Sequence, residues 1–120
     1  MDPIPISYHE NNFNEMMNSD VYLSGYIFEH EGEIAGFAVT SKMYSAEVGG
    51  ICVWVEDVYI KNEFRSHGLG RELFQLIEEQ SPKLSRIRLE VEEGNARAIS
   101  LYEKLGFKRL PYNQMIKDFK

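Results

Sequence analysis

The sequence predicts an α/β domain with a mixed, mostly antiparallel central sheet and helices on its flanks. Three observations carry this. Between Tyr22 and Ile60, runs rich in aromatic and β-branched residues follow one another with short polar breaks, as in a meander. Arg86–Val91 then alternates strictly, as a strand with one wetter face does, and lies between two amphipathic helical stretches. Finally, 120 residues of ordinary globular composition make about one domain with one modest core.

In chain order, residues 1–10 carry two prolines and no helical period, which predicts an extended arm. Asn11 or Asn12 is placed to cap a short helix ending at Ser19, with Phe13, Met16 and Met17 as its apolar face. Tyr22–Phe28 and Ile34–Thr40 read as a hairpin turning through Glu29–Glu33, followed by a polar connection over Ser41–Ala46. Ile51–Ile60 is almost continuously apolar, as in a strand covered on both faces. Two adjacent acids near its end, Glu56 and Asp57, are costly there unless paired or open to a cleft. Leu69, Leu73, Leu76 and Ile77 give a helix face that Ser81-Pro82 ends. Ala98, Leu101, Tyr102 and Leu105 recur at helical spacing, and Gly106 is placed to end that helix in the left-handed region. Phe107–Leu110 and Tyr112–Phe119 read as final strands broken at Pro111.

Composition narrows the function. No apolar run approaches the roughly 20 residues of a membrane span, and Met1–Ile6 lacks the basic start and apolar stretch of a signal peptide. Cys52 is the single cysteine, so no internal disulfide forms and a reducing cytoplasm fits. It has no evident activating base, and no His, Cys, Asp and Glu set has metal-ligand spacing, so no metal is expected. The net charge of -6 argues against nucleic acid and anionic membrane as partners and favours a cationic or amine-bearing one.

The most informative stretch is Glu56–Phe74. Gly68 and Gly70 stand where strand passes to helix, between Arg65 and Arg71. This aims backbone N–H groups and a helix N-terminus at one point, which suits an anion such as a phosphate. It is not a P-loop, because no Gly-Lys-Ser or Gly-Lys-Thr follows. Nor is it a dinucleotide fingerprint, which needs a third spaced glycine and a later acid.

Arg65-Ser66-His67-Gly68-Leu69-Gly70 resembles the acyl-coenzyme A motif of the GNAT N-acetyltransferase superfamily. About 25 residues on, Asn95–Phe107 resembles its second motif and ends in the Leu-Tyr-x-Lys-x-Gly-Phe signature as Leu101–Phe107. Glu56-Asp57 before the cofactor strand also resembles polyamine and diamine acetyltransferases. The resemblance implies a single GNAT domain over 1–120, acetyl-CoA as cofactor, and a small-molecule or peptide amine as partner. The activity it implies is direct acetyl transfer in a ternary complex.

It also implies roles. Backbone groups of Val58, Tyr59 and Ile60 would line the pantetheine arm. The pyrophosphate would lie on N–H groups of Ser66, His67, Gly68, Leu69, Gly70 and Arg71, with Arg65 and Arg71 adding screened charge. The His67 side chain is expected to face solvent. Glu56 would be the general base, with Asp57 as runner-up on the opposite face by period-two alternation, unless a bulge intervenes. An acid on an apolar strand is expected to be desolvated, which suits a base working near neutrality. A backbone N–H near Val58 would meet the developing oxyanion. Tyr102 would donate to the departing thiolate, and Asn95 would contact the cofactor or cap its helix.

One departure stands out. Family members place a strand and two helices before the first hairpin, whereas about 21 residues precede Tyr22 here. The acceptor cleft is then expected to be open, or completed by a second copy through an Ile4–Tyr8 arm added to a sheet edge. A non-catalytic coenzyme A-binding domain is the alternative to an enzyme.

Overall fold

Strand formation follows the β-branched and aromatic runs, and their extents follow the partners each strand finds. The structure is a computed structural model and describes residues 6–19 and 22–119. It contains α1 (Ile6–Asn18), β1 (Leu23–His30), β2 (Glu33–Ser45), β3 (Gly50–Ile60), α2 (Leu69–Gln80), β4 (Leu84–Leu89) and α3 (Ala96–Lys104). A 3-10 turn, Asn62–Phe64, links β3 towards α2. The chain divides into two compact units, Met1–Glu90 and Val91–Lys120.

The first unit holds one four-stranded sheet in the order β1-β2-β3-β4. β1, β2 and β3 form an antiparallel meander, and β4 joins β3 in parallel through the crossover of α2. The sheet is thus mixed and mostly antiparallel, as the sequence predicts. Its core is Phe28, Ala38, Val53 and Val55 from the strands, with Leu69, Leu73, Phe74 and Ile77 from α2. Burying these groups is the main favourable term for the unit. Leu76, expected on the apolar face of α2, is instead 38% exposed, and Phe74 takes a buried place. At the far end of α2, Tyr26 Oη donates to Gln80 Oε1 at 3.2 Å and ties the helix to β1.

Three expectations need correction. The N-terminal helix begins at Ile6, not at Asn11 or Asn12, because neither proline nor glycine interrupts Ile6–Asn18. Ile6–Tyr8 is therefore helical and cannot add to a sheet edge as a strand; Ile4 and Pro5 lie outside the described residues. α1 touches β1 where the Met16 sulfur lies over Gly25. Secondly, β2 runs on to Ser45, since Ser41–Ser45 pairs with Trp54–Gly50 and a partner overrides weak local preference. Thirdly, Phe107–Phe119 carries no strand. A strand needs a partner edge, and Pro111 removes one donor from the run. Among the described residues, no helix is long and apolar enough to cross a membrane.

Candidate active site

The register of β2 against β3 slips by one residue, with Val39 opposite Asp57 and Thr40 opposite Val55. Glu56 is left without a partner on β2, as the extra residue of a β-bulge. Strict alternation puts Glu56 and Asp57 on opposite faces; the bulge overrides it. Asp57 stands across from Val39, and Glu56 Oε1 accepts a 2.6 Å hydrogen bond from Ser41 Oγ. Val39 and Ser41 are two apart on β2 and so share a face. Both acids therefore lie on that face, and both are exposed. The desolvation expected for Glu56 from its apolar strand is absent. Ser41 carries no signal in the sequence, because its place opposite the bulge exists only once the strands pair.

The same end of β3 loses its second neighbour. Pairing with β4 runs from Ile51 to Val55, and among the described residues Glu56–Ile60 has only β2 beside it. Lys61 N–H donates to the Ala35 carbonyl at 2.7 Å, while Ile60 stands opposite Gly36. This sets the phase of the antiparallel ladder. Backbone groups of Tyr59 and Lys61 face β2, and those of Val58 and Ile60 face the open edge. The Tyr59 carbonyl packs against Gly36, where a Cβ would collide with it. The Tyr59 backbone groups are therefore turned to β2 and not to the open edge. The Tyr59 ring is instead 48% exposed, 5.9 Å from the Phe37 ring. At the last paired positions, the Arg88 guanidinium lies 4.4 Å over the Trp54 ring and clamps β4 to β3.

The connection from β3 to α2 carries two residues in unusual backbone conformations. Ser66 and Gly68 both take left-handed backbone, with φ of 69° and 81°. Such residues beside right-handed or extended ones shape an anion-binding concavity. A left-handed conformation is cheap for Gly68 and unfavourable for Ser66, so the surrounding loop must hold Ser66 there. Arg65 does part of this. Its Nε donates to the Ile60 carbonyl at 3.0 Å, and Nη1 to Asn62 Oδ1 at 3.4 Å. The side chain expected to be a charge helper is thus first a brace, and it occupies one carbonyl of the open edge.

α2 starts at Leu69 without a side-chain cap, and its first backbone bond joins Glu72 N–H to the Gly68 carbonyl at 3.0 Å. The N–H groups of Leu69, Gly70 and Arg71 have no acceptor within the helix. His67 is exposed, and its ring also lies 4.6 Å from that of His30, which meets Phe64 at 5.8 Å. The β1–β2 turn is thereby packed against the loop, a contact between distant histidines that the sequence does not announce. Cys52 is fully buried on β3, and burial pushes its thiol up from the ordinary range, which suits packing and not nucleophilic chemistry.

Asn95 and Tyr102 belong to the second unit. Asn95 Oδ1 accepts from Ala98 N–H at 3.2 Å and caps α3. At the other end, Gly106 has φ 97°, its N–H meets the Glu103 carbonyl, and Phe107 N–H meets the Tyr102 carbonyl at 3.0 Å. These two bonds make a Schellman motif, with Phe107 packed edge-on against Tyr102 at 5.7 Å. The Gly-Phe signature therefore holds the tyrosine ring from behind. Burial raises the Tyr102 phenol above its usual range, so it stays protonated at neutral pH.

A split strand end, a loop with two left-handed residues and an uncapped helix N-terminus follow one another here, and the sequence pattern of the acetyltransferase (GNAT) family matches residues 2–107. The chain belongs to that family. Among curated GNAT relatives, a spermine/spermidine N(1)-acetyltransferase of Bacillus subtilis strain 168 is 29% identical over 65% of this chain and 55% of its own length. A thialysine N-epsilon-acetyltransferase of Bos taurus is 36% identical over 45% of this chain and 33% of its own. The chain thus spans about half or less of the curated relatives it matches. Solved structures share the fold. A possible acetyltransferase from Clostridium difficile 630 superposes with TM-score 0.78 at 18% identity, covering 99% of this chain and 80% of that one. AAC(6')-Iy, solved in complex with the bisubstrate analogue CoA-S-monomethyl-acetylneamine, gives 0.78 at 19% identity, covering 97% and 82%.

Proposed function

We propose that this chain is an acetyl-CoA-dependent N-acetyltransferase acting on a primary amine of a small, multiply charged cationic acceptor. The observation that carries the reading is the open edge of β3 running straight into this loop and the α2 N-terminus. The residues present fit coenzyme A. Val58 and Ile60 turn backbone groups towards an extended chain laid along the edge, and Leu69, Gly70 and Arg71 offer N–H groups to a pyrophosphate. The family match continues past Glu90 into the second unit, which supports reading both units as one catalytic domain. A single buried thiol suits a reducing compartment such as the cytoplasm.

Bound acetyl-CoA supplies the activated acetyl group as a thioester. Glu56 takes the proton of the incoming ammonium, directly or through one water, and its exposure keeps it reachable from the acceptor side. Val58 N–H, on the open edge, is the donor for charge developing on the carbonyl oxygen. Tyr102 holds its proton at Oη for the leaving sulfur; complete transfer is unnecessary for a thiolate of modest basicity. Asp57 and the exposed Phe37 and Tyr59 rings share the face of Glu56, which suits a second positive centre on the acceptor. Relatives named for spermine, spermidine and thialysine support the same class.

Thermal shift with acetyl-CoA, followed by thiol release with spermidine, thialysine and neamine, tests the reading. The expected result is stabilisation by acetyl-CoA and turnover of at least one amine. Stabilisation without turnover on any amine would replace the enzyme by a coenzyme A-binding module. No stabilisation would remove both.

A further inference from the structure

We infer that Ser41 is a positioning residue for the acetyl-transfer step, holding the Glu56 carboxylate in its working orientation; this rests on Glu56 being the base. The need for such a residue comes from the bulge. Glu56 is the one residue between Val55 and Asp57 with no partner on β2, and its side chain is exposed. A glutamate in that setting has three rotatable bonds and about 2 kcal/mol of rotamer freedom to lose before it can accept a proton along one line. Ser41 is built to remove that freedom. It lies on the inner strand β2, between Leu23 of β1 and Trp54 of β3, and its side chain is half-buried.

The 2.6 Å distance from Ser41 Oγ to Glu56 Oε1 lies in the range of a charge-assisted O–H···O⁻ bond. A hydroxyl has one proton to give. The bond therefore occupies Oε1 and leaves Oε2 as the oxygen that receives the amine proton. Serine is also short: Oγ cannot swing with the carboxylate, so the strand and not the solvent sets the angle. The Trp54 side chain, cross-strand from Ser41, is itself held, with its Nε1–H directed at Met43 Sδ at 3.2 Å.

The test is a two-by-two set, Ser41→Ala, Glu56→Gln and the double variant, with Ser41→Thr as rescue. Rates are measured with acetyl-CoA and whichever of spermidine, thialysine and neamine the parent chain acetylates fastest. Ser41→Ala is expected to lower kcat about tenfold, with acetyl-CoA affinity and Tm unchanged, since one charge-assisted bond and its alignment are lost. Ser41→Thr keeps the hydroxyl and recovers most of the rate. On the Glu56→Gln background, Ser41→Ala changes the rate by less than about twofold, because nothing remains to orient. Equal losses from Ser41→Ala with and without Glu56 would overturn the inference, as would an unchanged kcat in Ser41→Ala while Glu56→Gln is slow. An unchanged rate in Glu56→Gln itself, or no turnover of any amine, would overturn the base assignment and this inference together.

Discussion

β3 is two strands in one. Ile51–Val55 is paired on both edges, to β2 and β4, and contributes Cys52, Val53 and Val55 to the buried core. Among the described residues, Glu56–Ile60 keeps only β2, and it carries two exposed acids and an exposed tyrosine. Val58, Tyr59 and Ile60 are as strand-forming as Ile51–Val55, so propensity does not account for the lost neighbour. What separates the two halves is the end of β4 at Leu89 and the slip at Val39/Thr40. Burial is concentrated where the strand has two neighbours, and the proposed chemistry lies where it has one.

The comparison breaks most sharply at Glu56. Glu56→Gln on the open half should lower turnover by about 10²-fold or more, the usual contribution of a general base, while Tm and acetyl-CoA affinity stay at parent values. Steady-state kinetics beside calorimetry checks this, and a Tm loss would show that the open half carries stability after all. Ile77→Ala tests the closed half. Ile77 packs under the sheet at 1% exposure, so its truncation should destabilise the domain by about 2–5 kcal/mol in urea unfolding. Any surviving folded fraction should acetylate normally.

Gly68→Val probes the loop joining the open half to α2. The position has φ 81° and open space around it, so the penalty is conformational and not steric. A loss of about 1–2 kcal/mol is expected, with weaker acetyl-CoA binding by titration calorimetry; retained affinity would detach the loop from the phosphate. Tyr102→Phe should have the smallest effect, a several-fold fall in rate with the fold intact by circular dichroism. Full activity would remove its role as donor to the sulfur.

The order of elements around the site was legible because local rules govern it. An apolar run ended by acids, glycines at the strand-to-helix passage, and the helix stop at Ser81-Pro82 place β3, the loop and α2 without reference to anything distant. The Asn95 cap and the Gly106 terminus of α3 were legible for the same reason. The final strands at Phe107–Phe119 were over-read, because alternating apolar residues signal a strand only when an edge is there to receive them. The early start of α1 is masked in the sequence by Pro3 and Pro5, which mark the arm as extended although Ile6–Asn18 after them contains neither proline nor glycine.

By itself, then, the sequence determined the fold class, the family and the glycine-containing passage from β3 to α2, all of which follow from residues near one another in the chain. Only tertiary structure decided which face Glu56 shares with Asp57, which backbone groups of Val58–Ile60 remain open, that His30 packs on His67, and that Ser41 holds Glu56. Each of these depends on register. A slip of one residue between two strands changes every such relation and leaves no mark on composition or spacing.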